Sequence, residues 1–137
     1  MVGIILVSHG DMAAAMRDAA YMIVGPQQNV EAVSLRESDD VEGLMERVAA
    51  AIAAVDEGDG VLILVDVFGA SPFNAAARLA MQRDKLEVLT GMSLPMFLEL
   101  VVQRPRTSLE DLTAIAREAG TSGVRTFSET LGRPPSS

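Results

Sequence analysis

Hydrophobic and polar positions follow two distinct periods along this chain. Val2 to Val7 is a continuous apolar run rich in β-branched residues, which predicts a short strand covered on both faces. After Gly10 the period lengthens: Met12, Met16, Ala19, Ala20 and Ile23 fall on one helical face, which Gly25-Pro26 terminates. Asn29 to Leu35 reads as a second strand, interrupted by Glu31. Ser38-Asp39-Asp40 then caps a long helix whose apolar face is Val41, Leu44, Met45, Val48, Ile52 and Val55, ending at Gly58. Val61 to Val65 is the clearest strand of the chain. Ser71 is placed to act as N-cap of the next helix, with Pro72 at its first position. Leu86 to Leu89 reads as a fourth strand, Leu94-Pro95 opens a helix through about Val102, and Ser108 followed by Asp111 caps a last helix ending near Gly120. Val124 to Phe127 has the composition of a short final strand. One domain over 1–130 is expected, with a flexible tail over 131–137.

Apolar strands separated by helix-length segments call for an open, helix-flanked, mostly parallel α/β sheet with right-handed crossovers. In such sheets ligands sit beyond the carboxyl ends of the strands, where successive connections switch faces. His9 lies at the carboxyl end of the first strand and Asp66 at that of the third. With a strand order of 2-1-3-4 those two ends are neighbours, although the spacing alone does not dictate that order.

Composition narrows the chemistry. The 137 residues suit one domain, and with five aromatic residues and no Trp its core is built from Ala, Val, Leu, Ile and Met. On this reading the eight methionines fill the core. A net charge of −8 argues against a nucleic-acid or anionic-membrane surface, both of which need clustered Lys and Arg. Without cysteine there are no disulfides, thiolate metal sites or cysteine nucleophile. No apolar run approaches the roughly 18 residues of a membrane span, and the first one lacks a cationic lead, so a cytoplasmic domain is expected. His9 is the one histidine, which leaves no ligand cluster for a metal.

The stretch DVFGASPFN, Asp66 to Asn74, leaves a strand, is broken by Gly69 and enters a helix through Ser71-Pro72. A helix N-terminus presents unpaired N–H groups and the positive end of a dipole, which suits an anion, phosphate above all. The stretch is neither a Walker motif nor GxGxxG. A histidine is a nucleophile through the lone pair of one ring nitrogen while the other carries the proton. A carboxylate such as Asp66 accepting that N–H fixes the tautomer and stabilises the cationic ring formed when a phosphoryl group is taken up. Such a scheme needs no metal or cofactor. Taken singly, each residue also has a plain structural role: His9 as a hydrogen-bonding residue, Asp66 as a turn cap, Ser71 as a helix start and Phe68 as a core aromatic.

Three motifs change that balance. VSHGD near the N-terminus, VDVFGASPFNAA from Val65 to Ala76 and TGMSLPMFLE from Thr90 to Glu99 resemble the enzyme IIA component of the mannose family of the bacterial sugar phosphotransferase system (PTS), over about residues 1–126. The resemblance implies a phosphocarrier in which His9 takes a phosphoryl group from the small carrier HPr and passes it to a IIB component, with membrane contact only indirectly through IIC and IID. It places the phosphorylated histidine on His9, its orienting carboxylate on Asp66 and the phosphate-pocket hydroxyl on Ser71. Gly10, Phe68, Gly69 and Met92 complete the expected pocket. It further implies a homodimer with a 2-1-3-4 sheet whose antiparallel edge strand, here Val124 to Phe127, is exchanged between subunits.

Three positions depart from the family pattern: Ser8 where Thr is common, Val67 where a hydroxyl is frequent and Ser93 in place of Asn. Phe68, Phe73, Met92 and Met96 are candidate apolar anchors for partner proteins, with Phe68 exposed beside the histidine. Two other functions use the same histidine chemistry: a module whose phosphorylation reports nutrient state without transport, and the phosphoryl-donor subunit of a dihydroxyacetone kinase, which would lack the Phe-Gly-Ala-Ser-Pro-Phe-Asn run. A metal-binding α/β domain would require a second ligand histidine.

Overall fold

A computed structural model of the chain describes residues 1–132. Strands β1 (Gly3–His9), β2 (Val30–Leu35), β3 (Val61–Val65) and β4 (Leu86–Leu89) alternate with helices α1 (Met12–Val24), α2 (Val41–Val55), α3 (Ser71–Ala80) and α4 (Leu94–Gln103). Helix α5 (Leu109–Ser122) and a single turn, α6 (Phe127–Thr130), follow. The four strands form one parallel sheet in the order β2-β1-β3-β4.

Period-two alternation in the two central strands divides the core. Ile4, Leu6, Leu62 and Leu64 face α1, α4 and α5, packing on Ala13, Ala20, Phe97, Leu100 and Leu112. Ile5, Val7, Ile63 and Val65 face α2 and α3, against Leu44, Val48, Ile52, Ala75 and Leu79. Both strands are thus covered on both faces, which is why their sequences read as unbroken apolar runs. The connection leaving β1 runs over one face and that leaving β3 over the other, so the face switch falls between the carboxyl ends of β1 and β3.

Several local expectations are corrected. Helix α1 buries Ala13 and Ala20 with Met16 and Val24 beside them, whereas Met12 and Ile23 are exposed. Its apolar stripe is rotated because a helix carrying Ala or Met all round has little period to read. Met22 and Met81 are also exposed, so the methionines are not uniformly core residues. The N-cap of α3 is Ala70, and Ser71 is the first helical residue with no capping hydrogen bond from its side chain. Val124 to Phe127 is not a strand: 124–126 has no regular structure and Phe127 begins α6. A strand needs a neighbour to accept its backbone bonds, and an exchanged edge strand finds that neighbour in a second chain. From residue 133 on, the expected tail lies outside the described residues.

The end of the sheet away from His9 is tied by a buried cation. Arg104, 1% exposed, donates from Nη1 to the carbonyls of Val2 (3.3 Å) and Asn29 (3.2 Å) and from Nη2 to that of Gln28 (2.8 Å). Burial lowers its pKa, and its Nε has no acceptor among the described residues. Arg104→Ala takes the guanidinium from the Val2 and Gln28 carbonyls, while that of Asn29 keeps the Ile4 N–H at 3.0 Å; the cost is about 1–3 kcal/mol for each carbonyl that water does not reach. Denaturant unfolding should give a loss of at least about 2 kcal/mol, and an unchanged midpoint would refute the clamp.

Candidate functional site

The register decides what meets at the carboxyl edge. Val7 pairs with Val65 and His9 with Leu35, so β1 runs past the end of β3 and Asp66 comes off β3 directly beside it. The backbone N–H of His9 donates to Asp66 Oδ2 at 2.9 Å, and His9 Nδ1 lies 2.7 Å from the same oxygen. Asp66 Oδ1 accepts the Val67 N–H at 2.9 Å. Burial opposes ionisation of Asp66, but the His9 backbone and ring bonds, with the Val67 amide, outweigh it and hold the carboxyl below its ordinary value of 3.8. An ionised carboxylate can only accept, so the proton of a neutral His9 ring sits on Nδ1 and the lone pair on Nε2.

Burial is divided between the partners: the Asp66 side chain is 9% exposed and that of His9 51%. The orienting group is inside and the imidazole half outside. Since the folded pKa of Asp66 is depressed, its stabilising contribution is complete above about pH 4 and is lost as pH falls through the folded value. The stability difference between wild type and Asp66→Asn, measured by denaturant at a series of pH values, should therefore shrink below about pH 4. A difference independent of pH down to about 2 would contradict that assignment.

The neighbouring backbone turns the chain away from His9. Gly10 has φ +55°, a left-handed conformation that costs glycine little, and donates its N–H to the Leu35 carbonyl at 2.8 Å. Ser8, fully buried, accepts the Ala13 N–H on its hydroxyl at 2.8 Å and so satisfies an amide at the start of α1. That role follows from its strand position, one residue out of phase with His9 and on the α1 face, which sequence reading did not use.

In the loop from Asp66 to α3, Gly69 has φ +85° and Phe68 is 73% exposed, its ring centroid 4.7 Å from that of Phe73. Helix α3 starts at Ser71 with Pro72 in its first turn, and the amides of Ser71 and Phe73 have no intrahelical acceptor. The side chain of His9 shares the sheet face of Ile5 and Val7, the face that α3 covers. Met92 meets this edge through its backbone, and its side chain packs on the other face of the sheet. It is 5% exposed in the opposite core and its N–H is bound to the Val65 carbonyl at 3.0 Å. Met96, 4% exposed, is likewise core, so neither is an anchor for a partner. Ser93 caps α4, accepting the Met96 N–H at 3.4 Å, a duty that Asn performs equally well.

Among the described residues no group of three or more His, Cys, Asp or Glu side chains is arranged to hold a metal ion, and no helix is long and apolar enough to cross a membrane. The arrangement presents one half-exposed imidazole, oriented by a carboxylate, on the sheet face that α3 covers.

Known proteins of one family resemble this chain. Residues 3–117 match the family model described as PTS system fructose IIA component. The PTS system mannose-specific EIIAB component of Escherichia coli (strain K12) is 36% identical over 125 residues, 90% of this chain but 39% of that protein, so this chain spans well under half of that relative. The PTS system fructose-specific EIIA component of Bacillus subtilis (strain 168) is 33% identical over 112 residues, 82% of this chain and 77% of that protein. Among solved structures, the mannose/sorbose specific IIA subunit from Enterococcus faecalis superposes with a TM-score of 0.84 at 29% identity, covering 99% of this chain and 98% of that one.

Proposed function

This chain belongs to the fructose/mannose IIA family of the phosphotransferase system, and from that premise we propose that it is a cytoplasmic phosphocarrier that accepts a phosphoryl group on His9 Nε2 from phospho-HPr and hands it to a IIB component. The observation that carries the reading is the pairing of Nδ1 with Asp66 at 2.7 Å, which leaves Nε2 as the free nitrogen on a half-exposed ring. In the forward step the Nε2–P bond forms as the N–P bond of the donor phosphohistidine breaks, and the donor ring recovers its electron pair. Nδ1 keeps its proton, and the ring, now substituted on both nitrogens, is cationic against the Asp66 carboxylate. Phosphoryl oxygens are received by the first-turn amides of α3 and the Ser71 hydroxyl, with Gly10 and Gly69 shaping the backbone around them.

Exposed Phe68, Val67 and Met12 supply apolar contact area for a transient protein interface around the histidine. Contact with the membrane is indirect, through IIC and IID. A homodimer in which 124–127 gives up its present conformation to add an edge strand to a second chain belongs to this proposal too; the 84% exposure of Val124 supports it, since burial against a second chain would remove that surface. Incubation with phosphoenolpyruvate, enzyme I and HPr should add one phosphate, labile in acid and stable in base, and a IIB component should remove it. A protein that stays unmodified while HPr is fully phosphorylated would refute the reading. Phosphate that forms but never leaves for any IIB protein would favour a reporting module over transport.

A further inference from the structure

Resting on the reading of His9 as phosphoryl acceptor, we infer that Arg36 is a switchable counter-cation, paired with Asp11 in the resting protein and with the phosphoryl oxygens once His9 is phosphorylated. The two strands flanking β1 bring opposite charges to its end. On the β3 side stands Asp66; on the β2 side Leu35 is level with His9, and Arg36 is the next residue. Strand spacing and one Cα step put the Arg36 backbone no more than about 9 Å from that of His9, within reach of an arginine and an imidazole extended toward each other. The guanidinium of Arg36 is 2.6 Å from Asp11 Oδ1, and Asp11 is two residues past His9. The pair therefore bridges the carboxyl ends of β1 and β2, at the same edge of the sheet as His9.

The root of Arg36 is braced and its head is not. Its backbone N–H donates to Asp39 Oδ2 at 2.7 Å, and that oxygen also binds Arg47 Nη2 at 2.8 Å. Arg47 Nη1 in turn donates to the Ser34 carbonyl at 2.7 Å, so this second arginine is committed to holding the loop. The Arg36 side chain remains 56% exposed and its partner Asp11 75%, an ion pair that water screens and that costs little to part. A phosphoryl group carries nearly twice the charge of Asp11 and accepts a guanidinium through two parallel N–H bonds, so at comparable distance it attracts Arg36 more strongly than Asp11 does. Asp11 thereby acts as competitor, and the balance sets how readily His9 holds its phosphate.

The test is the equilibrium constant for phosphoryl exchange with HPr, measured for wild type, Arg36→Gln, Arg36→Lys and Asp11→Asn. At an ionic strength of about 0.01 M, where screening extends about 30 Å, Arg36→Gln should shift exchange about three- to tenfold toward the unphosphorylated chain. Arg36→Lys should recover most of that, and Asp11→Asn should shift it about two- to fivefold the other way. At about 1 M, where the screening length is about 3 Å, the wild-type advantage over Arg36→Gln should vanish, which a structural role would not produce. If Arg36→Gln stays within about twofold of wild type at low salt, or if the gap is the same at both salt concentrations, the switch is refuted while the phosphocarrier stands. A wild-type chain that takes no phosphate removes both.

Discussion

His9→Ala is expected to leave the protein folded and wholly unable to accept phosphate. The chain has one histidine, so no second imidazole can take over, and the alanine variant keeps the His9 backbone N–H that donates to Asp66 at 2.9 Å. With half of the ring in solvent, its removal opens no core cavity, and the stability lost is confined to the contact with Asp66. Mass measurement after incubation with phosphoenolpyruvate, enzyme I and HPr checks this directly. Stoichiometric phosphate on the variant would place the acceptor on another side chain and end the assignment. Partial phosphate that survives acid would point to a hydroxyl, for which Ser71 is the first candidate.

Asp66→Asn should reduce the rate of transfer rather than the affinity for the donor protein. The substitution removes a charge from beside a ring that becomes cationic as the N–P bond forms. It also replaces an acceptor-only group by one that can turn its amide donor toward Nδ1, which moves the ring proton to Nε2 and blocks the nucleophile. Amidating the carboxylate that orients a catalytic imidazole costs on the order of 10⁴-fold in the serine protease case, where both effects also operate, and a loss of about 10²–10⁴-fold is expected here. Single-turnover transfer from phospho-HPr separates the rate from the apparent affinity. A rate within a few-fold of wild type, or a loss confined to affinity, would show that Asp66 supports the loop and not the chemistry. Asp66→Glu, which keeps the charge and shifts its position, should fall between the two.

Much of the frame was legible because burial writes itself into local pattern. Val61–Val65 and residues 2–7 are covered on both faces, which leaves an unbroken apolar run in each. The caps at Asp40 and Ser108 were equally plain, since an Asx or Ser oxygen must lie within three residues of the amide it receives. Legibility failed where the signal is weak or the partner distant. The Ala-rich α1 reads alike on several sides, and Met92 sits in a motif that names no side chain direction. Ser8 looked like a substitute for threonine and proves to hold the start of the helix that follows.

A lone imidazole at the end of a buried strand, an acid at the end of another and a helix opening shortly after that acid can all be read along the chain. Those are local consequences of hydrophobic period and turn chemistry, carried by neighbours in the chain. That His9 and Asp66, 57 positions apart, meet in a hydrogen bond is a property of the fold, because it depends on β1 lying next to β3. Strand order is set by how the helices cover the two faces of the whole sheet, and no single segment contains that information. The same holds for the pairing of Asp11 with Arg36: the register of β1 against β2 brings the two ends level, and neither residue carries a local sign of the other.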